Sequence, residues 1–234
     1  MTTAAWRRDR AFYITMSILA VISVFAGFAR TYFLRPYFWP NTLPPYIHVH
    51  GAAFTTWIAL FAVQIILIAS RRTDVHRRLG WVAAGLAALM IPIALTAAVF
   101  SGQRNVSAGH VTGARIFLAV PVFSMIAFLI LTAAAVYYRQ RPETHKRLML
   151  LATINILDAA IARWPLAFIS STTWTYYLVT DLFIVAAIAY DYASRRRLYA
   201  AYAWGGLLVI GMQVGRELIG RTAAWQSFAQ LIVG

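Results

Sequence analysis

The chain has no cysteine. Disulfides, thiolate metal sites, cysteine nucleophiles and covalent c-type haem attachment are therefore excluded. Charge is also scarce: 12% of the 234 residues are charged, against about 25% in a soluble domain. Acidic residues number only seven, and Lys146 is the single lysine. The absence of lysine from the last apolar segment excludes a retinal Schiff base of the seven-helix kind. A Walker motif, a His-Glu-x-x-His zinc motif and a nucleophile elbow are absent too.

What remains is 61% hydrophobic. A membrane-spanning helix needs about 20 apolar residues. Seven segments meet that length, at 11–30, 47–70, 81–101, 114–138, 148–169, 175–193 and 203–220. The expected fold is all-α: a polytopic membrane bundle of about seven transmembrane helices forming one domain over 11–220. Residues 1–10 form a cytoplasmic N-terminal segment and 221–234 an external C-terminal one. The sixth and seventh segments are the most polar and the least distinct. No small-residue cleavage site follows the first apolar run, so it reads as a retained helix and not a signal peptide. Pro92, Pro121 and Pro165 lie inside spans and are expected to kink them. The proline-rich stretch 31–46 reads as an ordered cap or a flexible loop.

The net charge of +14 does not indicate nucleic acid, because the basic residues fall in short clusters between apolar runs. Arg7, Arg8 and Arg10 form one cluster. Arg71, Arg72, Arg77 and Arg78 form the next, followed by Arg139, Arg141, Lys146 and Arg147, then Arg195, Arg196 and Arg197. They occupy alternate ends of the spans, so the positive-inside rule puts all four in the cytoplasm and the C-terminus outside. Trp39, Trp81, Trp174 and Trp204 near span ends agree with an interfacial belt. A short repeat links two of the clusters: Thr73-Asp74-Val75-His76-Arg77-Arg78-Leu79 matches Pro142-Glu143-Thr144-His145-Lys146-Arg147-Leu148. It suggests two similar helical hairpins related by an axis along the membrane normal.

The stretch from His48-Val49-His50-Gly51 through Gln64 to His76-Arg77-Arg78-Leu79-Gly80, with His145-Lys146-Arg147-Leu148-Met149 and Ala162-Arg163 later, carries a recognisable pattern. It resembles a bacterial family of multipass membrane proteins defined only as a domain of unknown function. The resemblance covers about half the chain. It implies a bacterial cytoplasmic-membrane protein and an architecture, not an activity. A more distant similarity, resting on histidine placement alone, is to b-type membrane cytochromes, which pair histidines from neighbouring helices.

The histidines are the first candidates for chemistry. His50 and His110 on the outer side could pair across the bundle around haem b. His48 and His50 could hold a divalent metal, but residues two apart share no helix face. Both reach one ion only if the helix begins between them. His76 and His145 could supply a second pair on the inner side. Their basic neighbours Arg77, Arg78 and Arg147 favour a structural or lipid-facing reading, with headgroup contact at helix starts.

Ionisable groups within spans are costly and face the bundle interior. Asp158, Asp181 and Glu217 are candidate metal ligands or proton carriers, and Arg163 and Arg216 are the cations expected to neutralise them. A salt-bridge network joining helices five to seven explains the same residues. Gly211 and Gly215 form a G-x-x-x-G pair suited to close helix contact. The leading functional expectation is an outer-leaflet haem or metal site serving redox chemistry or assembly of a respiratory-type complex. A small proton-coupled transporter using Asp158 and a non-catalytic accessory subunit of a larger membrane complex are the alternatives. Lipid is the expected partner throughout, and no catalytic residue is assigned.

Overall fold

A computed structural model describes residues 3–169 and 171–234. The described residues are helical, with no strand among them. Eight α-helices follow in order: α1 (Thr3–Phe28), α2 (Pro45–Ala69), α3 (Thr73–Ser107), α4 (Val111–Tyr137), α5 (Pro142–Ile161), α6 (Thr173–Arg195), α7 (Ala200–Ile219) and α8 (Ala223–Val233). Five are long and apolar enough to cross a membrane: α1 with its following turn, α2, α3, α4 and α6. Their outer surfaces show why. On α1, Tyr13, Met16 and Ala20 are buried while Ile18, Ile22 and Phe25 are exposed. A helix apolar on both its packed and its exposed faces is suited to lipid.

The two long helices outside that group are α5 and α7. Glu143, Lys146, Arg147 and Asp158 lower the hydropathy of α5. Yet α5 is the centre of the bundle, touching α1, α4, α6 and α7. Of its 20 residues, 12 are buried. A helix sheathed by other helices needs no apolar surface for lipid, so it can carry polar side chains satisfied within the protein. Of the two segments expected to be least distinct, the sixth meets the apolar measure and the seventh does not, and the fifth falls short as well.

Several boundaries differ from those expected. Pro45 starts α2 and Pro142 starts α5, each in the first turn, where the missing N–H costs nothing. The fifth span ends at Ile161, well before 169, and Pro165 lies beyond it in a turn. A proline disfavours helix at the residue before it and cannot donate within one. Pro92 and Pro121 do lie inside helices. At 35 residues, α3 is about 52 Å long at 1.5 Å per residue and outruns the hydrocarbon thickness at its ends. The stretch 31–46 is partly ordered: a π-helical turn at Ala29–Phe33, a 3-10 turn at Arg35–Tyr37, and a hydrogen bond from Arg35 Nε to the Asn41 carbonyl at 2.9 Å.

The C-terminal segment also folds. Thr222 caps α8 by accepting from the Trp225 N–H, and Ala229 and Val233 are buried against Ala98 and Leu118. Trp225 Nε1 donates to the Arg115 carbonyl at 2.9 Å. The close helix approaches use glycines other than the G-x-x-x-G pair. A side chain at Gly27 would run into the Ala160 carbonyl of α5, and one at Gly205 would come within 2.7 Å of Leu151. Gly211 meets nothing.

Candidate functional site

The end of the bundle that carries the basic clusters holds an ion network around α5. Arg147 is fully buried, and its Nε donates to Asp191 of α6 at 2.5 Å, while Nη1 donates to Glu143 at 2.8 Å. Its guanidinium lies 3.4 Å from the ring centre of Tyr199. Arg195 donates to the other Asp191 oxygen at 2.7 Å and also to Asp9 of α1. Lys146 joins Asp9 at 2.8 Å and Glu143 at 3.0 Å, and Tyr190 donates to Asp9 at 2.6 Å. Three acids thus meet three cations on three helices. Arg77 and Arg78 are exposed, as a headgroup-facing reading requires, but Arg147 is not. It is turned inward because Asp191, Glu143 and Tyr199 together satisfy a charge that lipid would not.

Beside this network lies a cavity of about 1250 Å³ between α1, α2, α3, α4 and α5. Its depth is apolar, walled by Ile65, Ala84, Ala88, Ile91, Leu129 and Ala133, with Trp57. Its mouth is polar, with Asp9, Arg10, Arg77, Arg139, Glu143 and Lys146. Drug-sized ligands use pockets of about 300–1,000 Å³, and this one is larger, with an apolar interior and more cations than acids at its rim.

His76 and His145 line that cavity together. Their ring centres are 6.3 Å apart and their planes make an angle of 85°. His145 Nδ1 is 2.8 Å from the Ala135 carbonyl. A carbonyl can only accept, so Nδ1 carries a proton, and in the neutral tautomer that fits this contact Nε2 is the nitrogen with a lone pair for ligation. His76 Nδ1 is buried and unpartnered, as is Oε1 of Gln64, another lining residue. Buried polar atoms without partners are rare and call for an explanation.

The other end of the bundle is arranged differently. His48 lies 5.7 Å from the Tyr32 ring, His50 stacks on Phe54 at 4.3 Å, and His110 is exposed just before α4. Because α2 starts at Pro45, His48 and His50 both sit within it and point about 200° apart. The condition for their sharing one ion is not met. Asp158 is engaged by Arg216, with Gln213 Nε2 donating to its second oxygen at 3.4 Å. Arg216 also donates to Ser124 at 2.6 Å and to the Tyr177 hydroxyl at 2.7 Å, which in turn donates to Glu217 at 2.9 Å. A network joining α5, α6 and α7 therefore exists, and it extends to α4.

One of its expected members stands apart, and a second is engaged only through Gln213. Arg163 donates to the Ala159 carbonyl and sits over the Phe28 ring at 5.1 Å, with no carboxylate partner among the described residues. Asp181 Oδ1 is buried without a partner. Among the described residues no three His, Asp or Glu side chains converge in a way that could hold a metal ion, so His48, His50, Asp158, Asp181 and Glu217 do not form one ligand set.

Sequence reasoning ranked the outer histidines first and missed the inner cavity. The signal was present in the repeat. His76 and His145 occupy equivalent positions of Thr73–Leu79 and Pro142–Leu148, each the fourth residue of its helix. Two related helix starts packed around a common axis bring such residues face to face. Comparison with protein families, curated proteins and solved structures finds no match to this chain.

Proposed function

We propose that this protein crosses a bacterial cytoplasmic membrane seven times and serves redox chemistry, holding an amphipathic ring cofactor in the cavity at its basic, cytoplasmic end. The carrying observation is that cavity, apolar in its depth and cationic at its mouth. The match to membrane geometry is direct. The apolar lining would hold an acyl-like body or ring at hydrocarbon depth, and Arg10, Arg77, Arg139 and Lys146 would bind its acidic substituents in the headgroup zone.

The topology rests on two further points. Helices α5 and α7 have 20 residues each, about 30 Å of rise, which equals a hydrocarbon core. The basic clusters share one end, which the positive-inside rule assigns to the cytoplasm. The chain has no cysteine, so single cysteines report without background. With a membrane-impermeant maleimide on intact cells, Gln230→Cys should label and Gln140→Cys should label only after permeabilisation. Labelling of both from outside would refute the seven-span arrangement.

Binding is tested with protoporphyrin IX, an iron-free amphipathic ring, titrated into the purified protein in detergent. Saturable binding is expected. Ala84→Trp, which fills the cavity from α3, should weaken it by about tenfold or more while the protein stays monodisperse. Equal affinity in the variant would remove the cavity from the proposal. The transporter alternative needs an acid at Asp158 free to exchange its proton, and the engagement of Asp158 by Arg216 favours the cofactor reading over it.

A further inference from the structure

We propose that His76 and His145 are the two axial ligands of a haem b seated in this cavity. The inference rests on the cavity reading above and names its occupant.

Four observations carry it. The first is spacing. A metal–imidazole bond is about 2.0–2.1 Å, and half a ring adds about 1 Å, so two imidazoles on opposite sides of one ion have centres roughly 6 Å apart. His76 and His145 have centres 6.3 Å apart. The second is tautomer. The Ala135 carbonyl holds the Nδ1 proton of His145 at 2.8 Å, which leaves Nε2 free to ligate and orients the ring. Metal-bound histidines commonly have such an outer partner. His76 keeps a buried nitrogen with no partner in the same cavity.

The third is ligand number, and it selects the kind of metal. A bare zinc ion takes three or four protein ligands. Only two histidines meet here, and the described residues hold no cluster of three candidate ligands anywhere. The pair therefore suits a metal that brings its own equatorial donors. A metalloporphyrin brings four and needs only two axial ligands. A covalently attached c-type haem is excluded by the lack of cysteine.

The fourth is the shape and charge of the surroundings. The wall offered by α3 includes a run of small residues, Gly80, Ala84, Ala87 and Ala88, beside the larger Trp81 and Ile91, and a side chain at Gly80 would have nothing nearer than Gln64 at 3.7 Å. A flat macrocycle can approach such a surface. The mouth carries Arg10, Arg77, Arg139 and Lys146 against Asp9 and Glu143, a surplus of cations suited to the two propionates. Each histidine belongs to one copy of the internal repeat, so the ring would sit between the two related helix starts.

Haemin titrated into the purified apoprotein tests this. The wild type should give a low-spin, six-coordinate ferric spectrum and sharp α and β bands after dithionite reduction. His76→Ala and His145→Ala should each lose the low-spin spectrum and bind haemin about 10–100-fold more weakly. Added imidazole should restore the low-spin spectrum in either variant, a rescue that a merely misfolded protein would not show. His50→Ala and His110→Ala should match the wild type.

A wild-type spectrum that stays high-spin overturns the proposal, as does a low-spin spectrum retained in both inner variants. Loss of the spectrum in His50→Ala or His110→Ala alone moves the haem to the other end of the bundle and overturns it equally. Protoporphyrin IX separates the two levels. If the iron-free ring binds and Ala84→Trp blocks it while haemin stays high-spin, the cavity reading stands and the ligand assignment falls. If neither ring binds, both fall.

Discussion

Replacing Asp191 with alanine is expected to destabilise the bundle by about 3–5 kcal/mol, the usual cost of removing one partner from a buried ion pair. The magnitude follows from what is left behind. Arg147 and Asp191 have side chains 0% and 1% exposed. Without Asp191, the Nε of Arg147 loses its acceptor, and Nη2 already lacks one. Glu143, at 45% exposure, cannot replace a buried carboxylate. Arg195 loses a bond as well, since Asp191 Oδ1 accepts from it at 2.7 Å. Reversible unfolding in mixed micelles measures the effect. The paired change Arg147→Met with Asp191→Leu should recover most of the loss, because exchanging a buried pair for apolar groups of similar size is often neutral. A loss below about 1 kcal/mol for Asp191→Ala would place the pair in the weak, solvated class.

Arg216→Met is expected to cost a similar amount, about 3–5 kcal/mol, and its partner Asp158 lies towards the opposite end of α5. Arg216 is 2% exposed and Asp158 4%. Their ion pair joins α7 to α5, and the same guanidinium holds Ser124 of α4 and Tyr177 of α6. Its removal leaves Asp158 with the 3.4 Å contact from Gln213 and takes a donor from three helices at once. Asp158→Asn in the Arg216→Met background should restore part of the stability, since a neutral amide is far less costly to bury than an unpaired carboxylate. Additive losses in the double variant would show that the two residues do not act as a pair.

These two ion pairs bracket α5 and explain a feature that hydropathy alone misjudges. A segment with Glu143, Lys146, Arg147 and Asp158 looks like a poor span. It is instead the helix with the most complete protein sheath. Hydropathy measures suitability for lipid, and α5 meets little of it. The short α8 escapes the same measure for another reason. Its 11 residues cannot span, and the groove that receives it is built by Gly102 and Leu118, far away in the chain.

The histidines show the same limit at the level of a site. Arg77 and Arg147 are near neighbours of His76 and His145 in sequence, and that proximity argues for the headgroup zone. On a helix, consecutive residues point about 100° apart. Arg77 reaches the rim of the cavity and Arg147 the ion network, while both histidines line the cavity itself. Charge beside a residue in the chain therefore says little about what that residue faces.

The absence of cysteine, the scarcity of charge and the apolar runs by themselves determined that this is an all-helical protein suited to a membrane. Lipid offers no hydrogen bonds, so continuous apolar runs of about 20 residues must each satisfy their backbone within the segment, as a helix. The sequence also determined that the basic clusters share one end, because alternate links of an up-and-down bundle return to the same side. Tertiary structure alone decided which polar groups meet. It took Asp158 to Arg216, Arg147 to Asp191 and His76 to His145, and it left Arg163 outside the network it was expected to join. Those choices depend on helix rotation and on which helices pack together, and residues 44 to 69 positions apart carry no local signal of either.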